Sequence, residues 1–238
     1  MSLYLPEDAP EGTRAKLRSS RAAHALTAAG TPFLVFDPRL ADDDVLLLHF
    51  LFEPPGSARR VAAVCTSGLC KTAQRHPRAW CFDTFEIVVA YYSPGFSTTL
   101  LEHLILLSRG IRDCLGDPRQ SAFGIGDWID HFPMVGDARS ALLIPPVPEL
   151  VFSGLRPFAT LPSSLAMRDW LNPDALRAAG PFGFLQAVSL FPTEYEHVRS
   201  TGDGFRFFLD HLLASDAEVA RGSELAFRIL DMNRTAVL

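Results

Sequence analysis

Three polar residues that lie close together in the sequence could carry acid–base chemistry or bind a metal ion. They are Asp127, Asp130 and His131, within the segment GIGDWIDHF at residues 124–132. The segment has an extended pattern, and side chains alternate along a strand, so Asp130 shares a face with Trp128 while Asp127 points to the other face. This division argues against a compact catalytic cluster. It favours Trp128, Asp130 and His131 as an anchor for a protein partner, with core packing as the alternative role of Trp128.

Cysteine is the other residue type that could do chemistry. The four cysteines are Cys65, Cys70, Cys81 and Cys114. None forms a C-x-x-C pair, and no closely spaced histidine pair accompanies them, so we expect free buried thiols rather than a zinc site. The chain has no G-x-S-x-G elbow or catalytic-cysteine signature, and GIGDWI lacks the third glycine of a dinucleotide loop. We therefore expect no enzyme activity, no metal and no cofactor, and keep a small hydrolase using Cys65 or Cys70 as an alternative.

Charge and hydropathy narrow the class of partner. The chain has 238 residues and a formal net charge of −5, from 22 basic and 27 acidic residues. A nucleic-acid partner usually requires a basic face, so we expect none, whereas a basic protein partner is compatible with this charge. The N-terminus has no secretory pattern, and the longest apolar runs fall far short of the roughly 20 residues of a membrane helix. We expect a cytoplasmic protein that does not bind membranes.

These residues must be positioned by a sheet with helices around it. Continuous apolar or β-branched runs predict strands at 45–52, 60–66, 82–92, 140–144 and 182–190. The residues from Glu11 to Ala29 predict one helix, and the spacing of Thr193 and Glu196 predicts a capping box that opens another. Strands and helices mix without strict alternation, which predicts one α+β domain over residues 1–238. It consists of a mixed β-sheet with helices packed on it, and residues 1–40 form an N-terminal helical extension.

Four segments follow one another along the chain: VAAVCTSGLC at 61–70, FDTFEIVVAYY at 82–92, GIGDWIDHF followed by ALLIPPV at 141–147, and FLQAVSLFPTEYEHVRSTGDGFRFFLDHL at 184–212. In this order they resemble the suppressor of fused family. The family framework positions that the chain matches are Gly68, Glu86, Gly126, Asp127, Pro145, Pro192, Glu194 and Gly204. Leu69 departs from the small or polar residue that many family members have there.

The resemblance implies a protein-binding role. The animal relative captures a transcription-factor peptide, and bacterial relatives are commonly immunity proteins that neutralise a toxin encoded beside them. We therefore expect an immunity protein that binds a cognate bacterial toxin directly, or alternatively a regulatory scaffold that binds an endogenous peptide. A sheet edge that accepts a partner strand is one expected binding surface, and the patch around Trp128 is the other.

Overall fold

The elements of the chain are known from a computed structural model. It describes residues 2–28, 30–38, 45–52, 61–69, 84–92, 101–102, 104–105, 109–111, 123–130, 140–144, 182–212 and 236–238. The described strands are β1 Ser2–Tyr4, β2 Phe33–Asp37, β3 Leu46–Phe52, β4 Val61–Ser67, β5 Thr84–Tyr92, β6 Trp128–Asp130, β7 Ser140–Ile144 and β8 Phe182–Leu190. The described helices are α1 Glu11–Arg18, α2 Arg21–Ala28, α3 Pro192–Thr201 and α4 Gly204–Phe207. A 3-10 helix spans Pro6–Asp8, a π-helical turn spans Phe208–Leu212, and residues between 101 and 111 are also helical where described.

The eight described strands form one sheet in the order β1-β2-β3-β4-β5-β8-β7-β6. Strands β5 and β8 pair in parallel, and every other pairing between neighbours is antiparallel. The sheet is therefore mixed, and helices accompany it. The predicted α+β fold with a mixed sheet is confirmed.

The central strands are buried on both faces of the sheet. Consecutive residues of a strand point to opposite faces. The pairs Leu47–Leu48 and Leu142–Leu143 have all four side chains fully buried. Both faces are thus covered by other parts of the chain, as the continuous apolar runs predicted.

The N-terminal region contains more than the helix predicted there. The expected single helix over 11–29 is two helices, because Ser20 starts a new one: its Oγ accepts a hydrogen bond from Ala23 N at 3.0 Å. The same oxygen accepts a 2.6 Å bond from the Ser67 hydroxyl, which ties α2 to β4. Within residues 1–40, where the sequence predicted a helical extension, β1 and β2 also join the main sheet.

A membrane-crossing helix is not found in the described part of the chain, where every helix is too short or too polar to span a bilayer.

Candidate functional site

Strand β6 carries two of the predicted anchor residues and lies at one end of the sheet. It pairs with β7 on one side, with Trp128 opposite Leu142 and Asp130 opposite Ser140. No described strand pairs with its other side. Trp128 is half-buried and packs against the core, while Asp130 is exposed. His131, the third predicted anchor residue, lies outside the described residues.

A tight turn and a β-bulge set the position of β6. Residues 124–127 form a turn that is closed by a 3.2 Å bond from Asp127 N to Gly124 O, and Gly126 adopts φ +88 at its third position. That conformation favours glycine, as in a type II turn. Gly126 N donates to Leu143 O, and Leu143 N donates to Asp127 O, both at 2.8 Å. Two residues thus face Leu143, which is the arrangement of a bulge beside a turn.

The bulge fixes which backbone groups of β6 point away from the sheet. In an antiparallel pair, residues that exchange hydrogen bonds alternate with residues that do not. Because Leu143 bonds to Asp127, the next bonded pair is Ile129 with Ala141. The N–H and C=O groups of Trp128 and Asp130 therefore point outward, where a further strand could bind them.

Tyr195 of α3 belongs to this edge as well, and no motif in the sequence pointed to it. The interaction of its hydroxyl with the Asp130 carboxylate is the main cause that raises the pKa of Tyr195, with burial second. Glu196 raises the pKa of Tyr195 further, and Arg199 lowers it. We call Trp128, Asp130 and Tyr195, with the outward backbone of β6, the β6 edge. It offers an aromatic ring, a carboxylate and main-chain groups that no described strand bonds, all at one place.

The framework residue Glu86 has a different role, inside the protein. It is 6% exposed, and its carboxylate accepts bonds from Thr66 Oγ1 at 2.6 Å, Gly68 N at 2.7 Å and Leu69 N at 3.2 Å. Gly68 has φ +93, the left-handed region that glycine adopts most readily. Burial raises the pKa of Glu86, and the three donors oppose that rise. Glu86 thus holds the turn that follows β4.

Three more framework residues meet where α4 crosses the turn before β6. The Asp127 carboxylate accepts a 2.8 Å bond from Gly124 N and so closes its own turn. A Cβ on Gly126 would lie 2.8 Å from both Cβ and N of Phe205. A Cβ on Gly204 would overlap the Gly126 carbonyl oxygen and lie 2.6 Å from a methyl group of Leu142. The two glycines are needed because the backbones approach closely.

Pro192 and Glu194 lie at the start of α3, where the observed capping box differs from the predicted one. Glu194 Oε2 accepts a 3.0 Å bond from Phe191 N, which precedes the helix, and Pro192 is its first residue. Glu194 is the third residue of the helix, so it supplies the returning carboxylate that the sequence assigned to Glu196. The proline that starts the helix is compatible with that position because it has no N–H to satisfy. Pro145, the remaining framework residue, lies outside the described residues.

The structure describes some of the residues that the sequence offered as metal ligands or nucleophiles. The described residues contain no group of three or more His, Cys, Asp or Glu side chains that could hold a metal ion. Cys65 is 1% exposed, and its burial raises its pKa well above the usual value, which keeps the thiol protonated. His49 is buried in β3, and burial lowers its pKa, which favours the neutral imidazole. Cys70, the other candidate nucleophile, lies outside the described residues.

Comparison with known proteins supports the fold. A solved structure from Neisseria gonorrhoeae FA 1090, described as a suppressor of fused homologue, is similar over 96% of this chain and 98% of its own, with 13% sequence identity and a TM-score of 0.51. No family model and no curated protein matches the chain. The chain therefore has a suppressor of fused-like fold.

Proposed function

We propose that the protein binds another protein, and that the β6 edge takes up an extended segment of that partner as an added strand. The observation that carries this proposal is the outward direction of the Trp128 and Asp130 backbone groups, which follows from the bonds of Leu143 to Gly126 and Asp127. Main-chain hydrogen bonds supply affinity in this mode of recognition, and flanking side chains supply specificity.

The side chains of the β6 edge favour a basic partner segment. Trp128 and Asp130 are two residues apart and therefore share a face of the sheet, where Tyr195 meets Asp130. A lysine or arginine on the added strand would reach the exposed Asp130 carboxylate, and the Trp128 ring would cover the stem of that side chain. The formal net charge of −5 would attract such a partner over a longer distance.

The biological role that we propose is immunity against a cognate bacterial toxin. The support for it is the fold likeness to a bacterial suppressor of fused homologue and the four segments that resemble that family. Neutralisation by binding requires only that the protein cover a functional surface of the toxin, so the proposal includes no catalytic step. A regulatory scaffold that binds an endogenous peptide would use the same edge.

Co-expression with candidate toxin domains encoded by neighbouring genes tests both parts of the proposal. Asp130→Ala keeps the outward N–H of residue 130, whereas Asp130→Pro removes it at an edge position where proline is tolerated. We expect wild type to rescue growth and bind the toxin domain, Asp130→Ala to bind more weakly, and Asp130→Pro to bind weakest of the three.

Two outcomes would contradict parts of the proposal. Equal binding by the two Asp130 variants, with both folded, would exclude strand addition at the β6 edge. Failure of the wild type to bind or neutralise any toxin encoded by a neighbouring gene would count against the immunity role. The regulatory scaffold would then be the remaining proposed role.

A further inference from the structure

Two histidines from neighbouring helical segments meet at the side of the core. His197 lies on α3, and His211 lies on the π-helical turn that continues α4. Their ring centroids are 5.7 Å apart, and the ring planes make an angle of 79°. Both residues are half-buried, so small solutes can reach them from solvent. We call His197 and His211 the histidine pair.

A two-residue link sets the position of the histidine pair. Gly202 adopts φ +67 and donates a 2.8 Å hydrogen bond from its N–H to Val198 O, which ends α3. Asp203 then starts α4, because its Oδ1 accepts a 2.9 Å bond from Arg206 N. Both ends of the link are thus fixed by backbone hydrogen bonds, and the two histidines are placed by the helical segments on either side of it.

Phe207 supports both imidazole rings from the core side. It is 1% exposed, and its ring centroid lies 5.1 Å from that of His211 and 5.8 Å from that of His197. The hydrogen bonds found at His197 go to its main-chain carbonyl, from the hydroxyls of Ser200 and Thr201 at 2.9 Å each. Ring packing leaves the lone pairs of the imidazole nitrogens available to a ligand.

The separation of the two rings suits a shared metal ion. Imidazole nitrogen is a favoured ligand of Zn²⁺, Ni²⁺ and Cu²⁺. With a metal–nitrogen distance of about 2.0–2.1 Å and tetrahedral angles, two imidazoles on one ion have ring centroids roughly 5 Å apart. The observed 5.7 Å requires only a small side-chain adjustment. A π-helical turn is also a rare feature that occurs frequently at functional sites.

We propose that His197 and His211 together bind one divalent transition-metal ion, which ties α3 to the π-helical turn. The described residues supply no third His, Cys, Asp or Glu to the histidine pair, so water completes the coordination. The two ligands are 211 − 197 = 14 positions apart, so the folded chain holds them together and the unfolded chain does not. This site does not rest on strand addition at the β6 edge.

Calorimetric titration of the tag-free, full-length protein with Zn²⁺ tests this proposal. We expect His197→Gln and His211→Gln each to weaken the same binding event by at least about tenfold, since even indirect partners of a metal commonly contribute that much. The number of ions bound should fall by one in either variant, and by one rather than two in the double variant. His24→Gln is the matched control, because His24 is an exposed histidine of α2, and it should bind as wild type does.

Thermal unfolding provides a second measurement on the same proteins. A ligand that binds only the folded state raises the midpoint of unfolding. We therefore expect Zn²⁺ to raise the midpoint of wild type and of His24→Gln more than that of either variant of the histidine pair. Scans without Zn²⁺ show whether each variant is folded.

Two results would overturn the proposal. Binding of Zn²⁺ by the double variant as tightly as by wild type would mean that the two rings only pack edge to face beside Phe207. Loss of binding in one single variant but not in the other would mean that one imidazole acts without its neighbour. If a variant does not fold, NMR of wild type decides: Zn²⁺ should shift the ring-proton signals of both histidines together, and a shift of one or of neither contradicts a shared ion.

Discussion

At the scale of single residues, the buried carboxylate of Glu86 dominates the energetics of the turn after β4. A buried charge is costly unless donors surround it, and here a hydroxyl and two backbone N–H groups converge on it. Each of those donors would in turn be left without its acceptor if the carboxylate were removed. Glu86 and the turn at Gly68 thus depend on each other.

Glu86→Gln should destabilise the protein by about 1–3 kcal/mol, because one of the carboxylate oxygens becomes an NH2 group that faces backbone N–H donors. Urea unfolding at neutral pH measures this change. Glu102→Gln is the matched control, since Glu102 is exposed on a helix, and it should change stability by less than about 0.5 kcal/mol. Equal effects of the two substitutions would contradict the role assigned to Glu86.

Gly204 is the second residue where a small change should have a large effect. Gly204→Ala would place a methyl group against the Gly126 carbonyl oxygen and Leu142, so α4 must move away from the turn. We expect a loss of about 1–3 kcal/mol, measured as a lower thermal midpoint. Gly12→Ala is the control, because nothing lies within 4 Å of the added atom, and it should be neutral or stabilise α1 by up to about 1 kcal/mol.

At the scale of elements, α3 links two surfaces of the molecule through adjacent residues of its first turn. Glu194 accepts a hydrogen bond from Val237 N, and Tyr195 interacts with Asp130 of β6, which raises the pKa of Tyr195. Changes at the start of this helix therefore reach both the β6 edge and the contact with residues 237 and 238, so variants that test one contact should leave the other residue unchanged.

The interaction between Tyr195 and Asp130 can be tested by titration. Because the Asp130 carboxylate raises the pKa of Tyr195, Asp130→Ala should lower the pKa of that tyrosine relative to wild type. The phenol absorbance change at alkaline pH reports all four tyrosines of the chain, so the Tyr195→Phe variant identifies the component that shifts. An unchanged titration curve would show that the two side chains do not meet in solution.

The sequence was informative about the elements themselves and less so about their contacts. The apolar runs predicted β7 at 140–144 and β8 at 182–190 with the bounds that the structure has. Strand β1 has only three residues, and β2 directly follows Pro32, so neither gave a long apolar pattern. Tyr195 and Asp130 are 195 − 130 = 65 positions apart, and only the order of strands at the end of the sheet brings them together. Local patterns cannot supply that order.

At the scale of the whole molecule, the raised pKa of Glu86 makes part of the folding stability depend on pH. The folded protein favours the protonated carboxyl more than the unfolded chain does, because burial penalises the charge. The contribution of Glu86 is therefore fully present below its usual pKa near 4.5 and is lost as the pH rises through the higher pKa of the folded state.

The free energy of unfolding of wild type minus that of Glu86→Gln should consequently decrease as the pH rises from about 4 to 7. Urea unfolding of both proteins across this range measures the difference, and other titrating groups cancel because both proteins share them. A difference that increases with pH would mean that the three donors outweigh burial and that the pKa of Glu86 is lowered instead.

The parallel pairing of β5 with β8 divides the sheet into two antiparallel groups, β1 to β5 and β6 to β8. Each group can form from neighbours along the chain, but the seam between them joins Thr84 to Phe182, which are 182 − 84 = 98 positions apart. Closing so long a loop costs conformational entropy before the seam gains its bonds, and non-local pairings of this kind slow folding. We therefore expect each group to assemble first and the two groups to pair late in folding. During synthesis, the edge of β5 that pairs with β8 stays unpaired until β8 has emerged from the ribosome.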